Sequence, residues 1–438
     1  MSIAETMDPA CRVRFDDFHG TLKQGSVTNS FDITVVGGSH SGLAVALALV
    51  GTLGTDLRLA VLDRRVLAKD LNRGADPRAF ALSAGSVALL AALGVWPALA
   101  VFAEPVLGID ITDSSLEHAM RPTLLSYDNH TSEGRPATWI VEAERLSAAL
   151  LARVLETPAI EVVAPAEISH LRLAEDPAAR LALADGRQLT ARLVIAADGV
   201  RSSIRQTAGI QTVNWQYDQM GIVTVVAHER PHGGRAVQHF LPAGPFAILP
   251  LPGSRSCITW SETTNNAQRI LALDDAGFLE EVERRFGYRL GRLQLAGKRA
   301  AWPLSMQLAR AMVAPRLALI GDAARSVHPI AGQGLNLGFR DVAALTEVVA
   351  DGMRLGLDPG DAMGLERYAQ WRRFDGQSSA AAYDALNRLF SNDSMLVRAI
   401  RDAGLGVVDR LPGLKHVFVE EAAGLSGEVP RLLHGVLP

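Results

Sequence analysis

Glycine and aspartate residues near the start of the chain have the types and spacing that bind a nucleotide. The segment "FDITVVGGSHSGLAVALALV" (Phe31–Val50) predicts a buried strand, a glycine turn and a buried helix. A second apolar strand, Leu57–Leu62, ends at an aspartate twenty-one residues after the last glycine of the turn. In such a βαβ unit the turn and the helix start would hold a pyrophosphate, and the aspartate would accept hydrogen bonds from ribose hydroxyls. The predicted contacts are Gly37, Gly38, Ser39, Gly42 and Asp63.

This turn departs from the usual Gly-x-Gly-x-x-Gly pattern because Ser39 stands at the middle glycine. A glycine at that position normally lets the backbone approach the pyrophosphate. The serine adds a Cβ there, but it also adds a hydroxyl that could donate to a phosphate oxygen. The motif alone does not separate NAD from FAD.

Two later segments also place glycine and aspartate after an apolar strand. "LVIAADGVRSSIR" (Leu193–Arg205) runs into Asp198 and Gly199. "RLALIGDAARSVHPIAGQGLNLGFRDVAAL" (Arg316–Leu345) runs into Gly321 and Asp322, followed by a glycine-rich loop and a predicted helix. A helix start carries about half a positive charge, so the glycine-rich loop before this helix indicates a site for an anionic group.

These three segments, in this order, resemble the FAD-dependent aromatic hydroxylases, the single-component flavoprotein monooxygenases. The resemblance implies that the first motif binds the adenosine half of FAD and that Asp322 bonds its ribityl or ribose portion. It also implies that Asp198 and Gly199 lie near the pyrophosphate and the nicotinamide approach. The loop after the third motif would face the flavin ring and favour its anionic reduced form, with contacts from Gly332, Gln333, Gly334, Leu335 and Asn336.

Four further residues are assigned through the same resemblance. Arg78 and Arg145 occupy places where the family often contacts the flavin phosphate or ring, although Arg145 is equally compatible with a solvated helix face. His328 and Pro329 are the catalytic candidates, because they would lie nearest the reacting edge of the flavin. For His328, a general-base role and a loop-ordering role both remain open.

Several segments from Phe31 onward resemble one branch of the family, the hydroxylases of ubiquinone biosynthesis. They are "DPRAFALSAGSVALLAALGVW", "VQHFLPAGPFAILPLP", "HPIAGQGLNLGFRDV" and the tail from "LNRLFSNDSMLVRAIRDAG" onward. The implied reaction is hydroxylation of a prenylated phenol with NADH or NADPH and O2, through a flavin hydroperoxide. A catabolic hydroxylase of a soluble aromatic acid and a non-catalytic FAD-bound scaffold of a biosynthetic complex are the alternatives.

The expected fold is α/β, with a Rossmann-like FAD-binding domain interleaved with an antiparallel-sheet substrate domain and a helical C-terminal tail. The predicted segments are a mobile extension at 1–30, the FAD domain at 31–105, 139–213 and 301–357, the substrate domain at 106–138 and 214–300, and the tail at 358–438. Within the substrate domain, Phe240, Phe246 and Leu249 are candidates for an apolar wall over the flavin, with ordinary core as the alternative.

Composition excludes other classes of function. The 43 basic and 47 acidic residues leave a net charge of −4, which gives no basic surface for nucleic acid. Two cysteines offer neither a metal site nor a disulfide framework. Because no secretory signal or membrane-spanning run is visible, we expect a cytoplasmic protein. An apolar stripe in the tail leaves open a peripheral contact with the inner face of the membrane or with a ubiquinone-biosynthesis complex.

Overall fold

The computed structural model describes residues 29–67, 76–113, 123–174, 177–328, 332–373, 419–420, 423–425 and 427–438. The proposed N-terminal extension lies almost wholly outside these residues, as do Pro329 and the apolar stripe of the tail. Within the described ranges, no single helix has the length and apolar character to span a membrane. The bent pair Ala84–Ala92 and Trp96–Phe102 passes that test by length and composition alone.

The secondary structure alternates short strands with helices in the first half of the chain and then turns to long strands. The strands are β1 (Asn29–Val36), β2 (Leu59–Leu62), β3 (Ala79–Ser83), β4 (Glu104–Pro105), β5 (Gly108–Asp113), β6 (Thr123–Asp128), β7 (Thr138–Glu142), β8 (Ile160–Val163), β9 (Ile168–Arg172), β10 (Ala179–Leu183), β11 (Gln188–Ala196), β12 (Thr212–His228), β13 (Arg235–Leu241), β14 (Gly244–Leu251), β15 (Arg255–Thr263), β16 (Leu293–Leu295), β17 (Ala300–Ala309), β18 (Val313–Ala314), β19 (Leu317–Leu319) and β20 (Arg325–Ser326). The helices are α1 (His40–Leu53), α2 (Ala84–Ala92), α3 (Trp96–Leu99), α4 (Ala143–Leu155), α5 (Ser203–Thr207), α6 (Thr264–Leu271), α7 (Asp275–Phe286) and α8 (Gly334–Arg354), with a further helical stretch at 362–373.

The first sheet is built on five parallel strands in the order β19-β11-β1-β2-β8. Its inner strand β2 is a continuous apolar run, because a parallel sheet is covered on both faces. Ile33 and Val35 of β1 are fully buried, and α1 is buried along Ser41–Val50. α1 packs against α8, so the first and third motifs meet through their helices.

The second sheet is largely antiparallel, in the order β20-β17-β12-β15-β14-β13-β5-β6. One of its faces packs on α6 and α7 through a buried cluster that includes Phe246, Trp260 and Phe278. The opposite face packs on the small sheet β3-β7-β4 through a cluster that includes Leu249 and Ala81. This contact joins the second sheet to the small three-stranded sheet.

Several elements agree closely with the sequence predictions. β1 and α1 form where the strand and the helix of the first motif were predicted. α7 is capped by Asp274, whose Oδ1 accepts the Gly277 N–H at 2.9 Å, and it ends at Gly287, whose φ is 77°. The predicted division between the two domains at residue 300 coincides with the first residue of β17. This strand pairs with β12 in the second sheet. The strand after that boundary is therefore shared with the antiparallel sheet, a long-range pairing that local sequence does not specify.

Candidate functional site

The four acidic and glycine-rich segments follow four neighbouring strands of the parallel sheet. Gly37 follows β1, Asp63 follows β2, Asp198 follows β11 and Gly321 follows β19. Parallel strands end at the same edge of a sheet, so these segments meet although they are up to 284 residues apart in the chain. The carboxyl edge of a parallel sheet is where α/β proteins bind nucleotides.

The glycines of the first turn are required by close backbone contacts. Gly37 has φ of 109°, and a Cβ on it would lie 2.4 Å from the Ala197 carbonyl oxygen, just before the second motif. A Cβ on Gly42 would lie 1.9 Å from the Gly37 oxygen. Larger residues would therefore push the first motif away from the second.

Ser39 has two structural bonds that the sequence did not reveal. It is the N-cap of α1, where its Oγ accepts the Gly42 N–H at 3.5 Å. The same hydroxyl donates to the Ala197 carbonyl at 3.1 Å. In this structure the Ser39 hydroxyl therefore donates its proton to the second motif and not toward the predicted phosphate.

Asp63 is fixed by hydrogen bonds from the backbone, one of them from the first glycine turn. Its Oδ2 accepts the Gly38 N–H at 2.8 Å, and its Oδ1 accepts the Arg65 N–H at 2.8 Å. The carboxylate is 7% exposed. These bonds fix its orientation at the tip of β2.

The third motif packs against the first through Ser41. A Cβ on Gly321 would lie 2.9 Å from Ser41 Oγ, and one on Gly338 would lie 2.7 Å from it. Only glycines allow α1, α8 and the Gly321 turn to come this close. Gly321 also has a left-handed φ of 57°.

A buried arginine connects the second motif with the third. Arg205 donates to the Ala323 carbonyl at 2.7 Å and to the Val200 carbonyl at 2.8 Å. Asp198 Oδ2 accepts the Ser203 N–H at 2.8 Å at the start of α5. Gly199 has φ of 83° and open space where a Cβ would stand. All three predicted motifs are therefore brought together.

Asp322 and Arg78 act on each other electrostatically. The Asp322 side chain is exposed at its tip, but protein lies close around it. That enclosure raises the pKa of the Asp322 carboxyl, and the positive charge of Arg78 opposes the rise. Arg78 lies between the rings of Phe80 and Trp302, 5.6 and 5.3 Å from their centroids, and donates to Asp76.

The glycine loop leads directly into α8. Gly332 has φ of 62° and lies against Ala81, and Gln333 precedes the helix without a side-chain capping bond. Among the described residues, the first-turn N–H groups of Gly334, Leu335 and Asn336 therefore receive no capping bond from the side chain of Gln333, at a positively polarised helix end.

The Asn336 side chain, in contrast, has a structural role. It donates to the Ala81 carbonyl at 2.8 Å and accepts the Ser83 N–H at 3.0 Å. Its predicted contact with a ligand must therefore come from its backbone. The side chain fixes the helix start against β3.

Two further predicted site residues pack against aromatic rings. His328 is 1% exposed and packs edge-on against the Tyr217 ring at 5.0 Å. Arg145 stacks over Phe102 at 4.3 Å. The roles assigned to both residues stay predictions, and Pro329 lies outside the described residues.

The motif itself contained a histidine that sequence reasoning passed over. His40 begins α1, forms a hydrogen bond with Ser147 at 2.9 Å and packs edge-on against Phe80 at 5.1 Å. Burial lowers the pKa of His40 to about 4, and Arg78 adds to that effect. The imidazole is therefore neutral at pH 7 and braces α1 against α4.

The face of the second sheet that points toward β3 has a half-open row of side chains. Gln238 is paired with Ile111 and Ala247, and Ala247 with Thr259; all four are partly exposed. The next row, which includes Leu249, packs on Ala81. Phe246 lies on the opposite face in the core, so it is not part of a wall over the flavin.

The comparisons with known proteins agree with this architecture. The chain belongs to the FAD binding domain family, whose profile matches residues 30–376. It is 42% identical over 417 residues to a ubiquinone hydroxylase of Rhodospirillum rubrum, covering 94% of each chain. It is 32% identical to the 3-demethoxyubiquinol 3-hydroxylase of Escherichia coli, covering 90% of this chain and 98% of that one.

Solved structures share the fold at low sequence identity. The p-nitrophenol 4-monooxygenase of Pseudomonas putida superposes with a TM-score of 0.74 at 18% identity, covering 92% of this chain and all of that one. The predicted α/β fold and family, and FAD as the cofactor, are thus confirmed.

The residues at the strand edge fit FAD. The glycine contacts leave room for a backbone-lined cradle, and the uncapped start of α8 offers donors to an anionic group. Asp322 and Arg78 add an acceptor and a cation at the same cleft. The individual contacts assigned to these residues remain predictions.

Proposed function

We propose that this protein is an FAD-dependent monooxygenase that hydroxylates the aromatic ring of a polyprenylated phenol in ubiquinone biosynthesis, using NAD(P)H and O2. The observation that carries the proposal is the 42% identity to a ubiquinone hydroxylase over 94% of both chains. It is supported by the convergence of three motifs at one sheet edge, which supplies a site for FAD.

When bound, FAD supplies the electron transfer and the activation of dioxygen. The chain supplies the orientation. The turn from Gly37 to Gly42 and the start of α1 would hold the pyrophosphate, and Asp63 would hold the adenosine ribose. The first turn of α8 would place N–H donors where negative charge accumulates on reduction, so it would favour the reduced state.

Asp322 and Arg78 would both hold the middle of the cofactor, as an acceptor and a cation. Enclosure raises the pKa of Asp322, and the positive charge of Arg78 partly offsets that rise by favouring the ionised form. An ionised carboxylate accepts hydrogen bonds strongly from ribityl or ribose hydroxyls.

The substrate ring is proposed to lie against the half-open row on the second sheet. Gln238 supports this placement because its Nε2 is buried without a hydrogen-bond partner among the described residues. A buried amide donor without a partner is costly, and an oxygen substituent on a ring would satisfy it. His328 is proposed to order the loop before α8, since it is buried against Tyr217.

The decisive experiment combines flavin content with isotopic product analysis. Purified protein supplied with FAD should show a flavin spectrum, oxidise NAD(P)H with a prenylphenol, and place one 18-oxygen atom from O2 on the ring. NAD(P)H oxidation and product with hydroxybenzoates alone would favour the catabolic alternative. Bound FAD with no hydroxylation of any phenol would favour the scaffold.

A variant pair tests the substrate face within the same assay. Gln238→Leu should raise KM for the prenylphenol and divert NAD(P)H oxidation to hydrogen peroxide, with FAD affinity unchanged. Gln294→Leu, at the exposed position of β16, is the matched control and should behave as wild type. Unchanged KM and coupling in Gln238→Leu would remove that residue from the substrate site.

Contact with the inner face of the membrane or with a ubiquinone-biosynthesis complex is part of the same proposal. A polyprenyl substrate partitions into lipid, so the enzyme must reach a bilayer or a carrier. Flotation with anionic vesicles tests the first, and co-purification from cells tests the second. Failure of both would leave a freely diffusing enzyme.

A further inference from the structure

The buried carboxylate of Asp341 links the third motif to two other elements. Asp341 lies on α8, seven residues after Gly334, and is fully buried. Its Oδ2 accepts the Gly321 N–H at 3.0 Å. Its Oδ1 accepts from Arg325 and from Arg372 Nε, the latter at 2.9 Å.

These bonds hold both ends of one short loop. Gly321 and Arg325 are the first and last residues of the five-residue segment that presents Asp322 to the cleft. Both are bonded to the same carboxylate, and that carboxylate belongs to the helix whose first turn offers N–H donors. Arg325 also donates to the Arg372 carbonyl at 3.1 Å, which fixes the loop to the helical stretch at 362–373.

We propose that Asp341 and Arg325 are positioning residues that hold Asp322 in register with the start of α8 for FAD binding. The inference depends on the proposed role of Asp322, but not on which substrate is hydroxylated. A buried ion pair is weak evidence for stability, because desolvation offsets the attraction, and its best-attested use is to fix a register. Here the register is that between a ligand-facing loop and a helix start.

The test is a double-mutant cycle measured by FAD titration of the apoprotein. Arg325→Met removes one end of the loop's anchorage while the Asp341–Arg372 pair remains. It should weaken FAD binding about tenfold, or 1.4 kcal/mol. In an Asp322→Ala background the same substitution should change FAD affinity less than twofold, because there is no carboxylate left to position.

Arg285→Met is the matched control. Arg285 is 2% exposed and pairs with Glu262 at 3.1 Å, but it lies in α7, away from the parallel sheet. Its loss should lower the melting temperature and leave the FAD dissociation constant of the folded protein unchanged. If Arg325→Met does not fold, Arg325→Lys takes its place in the cycle, with Arg285→Lys as control.

Two results would overturn the inference. Equal effects of the Arg325 variant in both backgrounds would show that it acts independently of Asp322. An unchanged FAD affinity in Asp322→Ala alone would show that this carboxylate needs no positioning. Hydroxylation of a prenylphenol is measured separately, so failure of this cycle would leave the proposed reaction intact.

Discussion

The carboxyl edge of the parallel sheet and the β3-facing side of the antiparallel sheet, the two proposed ligand sites, are built in different ways. At the first, glycines bring backbone segments into contact, and the side chains of Ser39, Asp63 and Asn336 are bonded to that backbone. At the second, ordinary side chains such as Gln238 and Thr259 alternate with core residues along regular strands.

The contrast explains what each region can tolerate. A surface made of closely packed backbone fails when one Cβ is added, because nothing flexible is available to move. A surface made of side chains can be changed one residue at a time while its sheet stays intact. The first therefore suits a fixed cofactor and the second a variable substrate.

The largest expected effect comes from adding a methyl group to the first turn. Gly42→Ala would set a Cβ 1.9 Å from the Gly37 oxygen, so the free energy of unfolding should fall by more than about 4 kcal/mol and FAD should be lost. Denaturant unfolding and flavin content measure this. Gly51→Ala, in the same helix with 3.6 Å of clearance, should change stability by no more than about 1 kcal/mol. Similar outcomes for both would refute the packing argument.

A core truncation in the second sheet should separate stability from cofactor binding. Phe246 is fully buried between β13, β15 and α7, so Phe246→Ala should cost about 3–4 kcal/mol. FAD affinity of the folded variant should match wild type, as measured by flavin fluorescence. A large loss of affinity would mean that the core behind this sheet also shapes the cofactor site.

The edge of the parallel sheet should also respond to acid. The pKa of His40 is lowered from 6.5 to about 4, so the unfolded chain binds more protons than the folded one between these values. Stability is then highest above pH 6.5 and is lost as pH falls toward 4, by about 2–3 kcal/mol. Unfolding of the apoprotein across this range measures the loss. His40→Asn should have a smaller loss, and an identical pH profile would contradict the assignment.

The smallest effect is expected at Ser39, the residue that departs from the Gly-x-Gly-x-x-Gly pattern. Ser39→Gly removes a cap and the bond to Ala197, at a cost of a few tenths of a kcal/mol for the cap. FAD should remain bound within about tenfold of wild type, or 1.4 kcal/mol. Isothermal titration of the apoprotein measures this, and complete loss of flavin would show that the hydroxyl is essential to the site.

Much of the parallel sheet could be predicted because local sequence determines it. β1 is a β-branched run, the glycines mark backbone contacts, and Asp63 lies at a fixed distance from its turn. The direction of the Ser39 hydroxyl could not be predicted, since its acceptor, Ala197, is 158 residues away.

The same limit applies to the site's supporting residues and to the second sheet. Asp341 and Arg372 look like ordinary helix residues until the fold brings them together with Arg325. Alternation in β14 predicts two faces but does not say which one packs on helices, so Phe246 and Leu249 could not be separated. Burial of His328 likewise depends on Tyr217, from a distant strand.

The order of strands in the parallel sheet has a consequence for biosynthesis. The first glycine turn leaves the ribosome early, but its neighbours on the sheet edge include β19 at Leu317–Leu319, and the facing helix ends at Arg354. A nascent chain that ends before Arg354 has an incomplete cofactor site and unpaired strand edges, and unpaired edges favour aggregation. Cofactor loading must therefore follow synthesis of α8, and fragments that end earlier should accumulate without flavin and depend on chaperones.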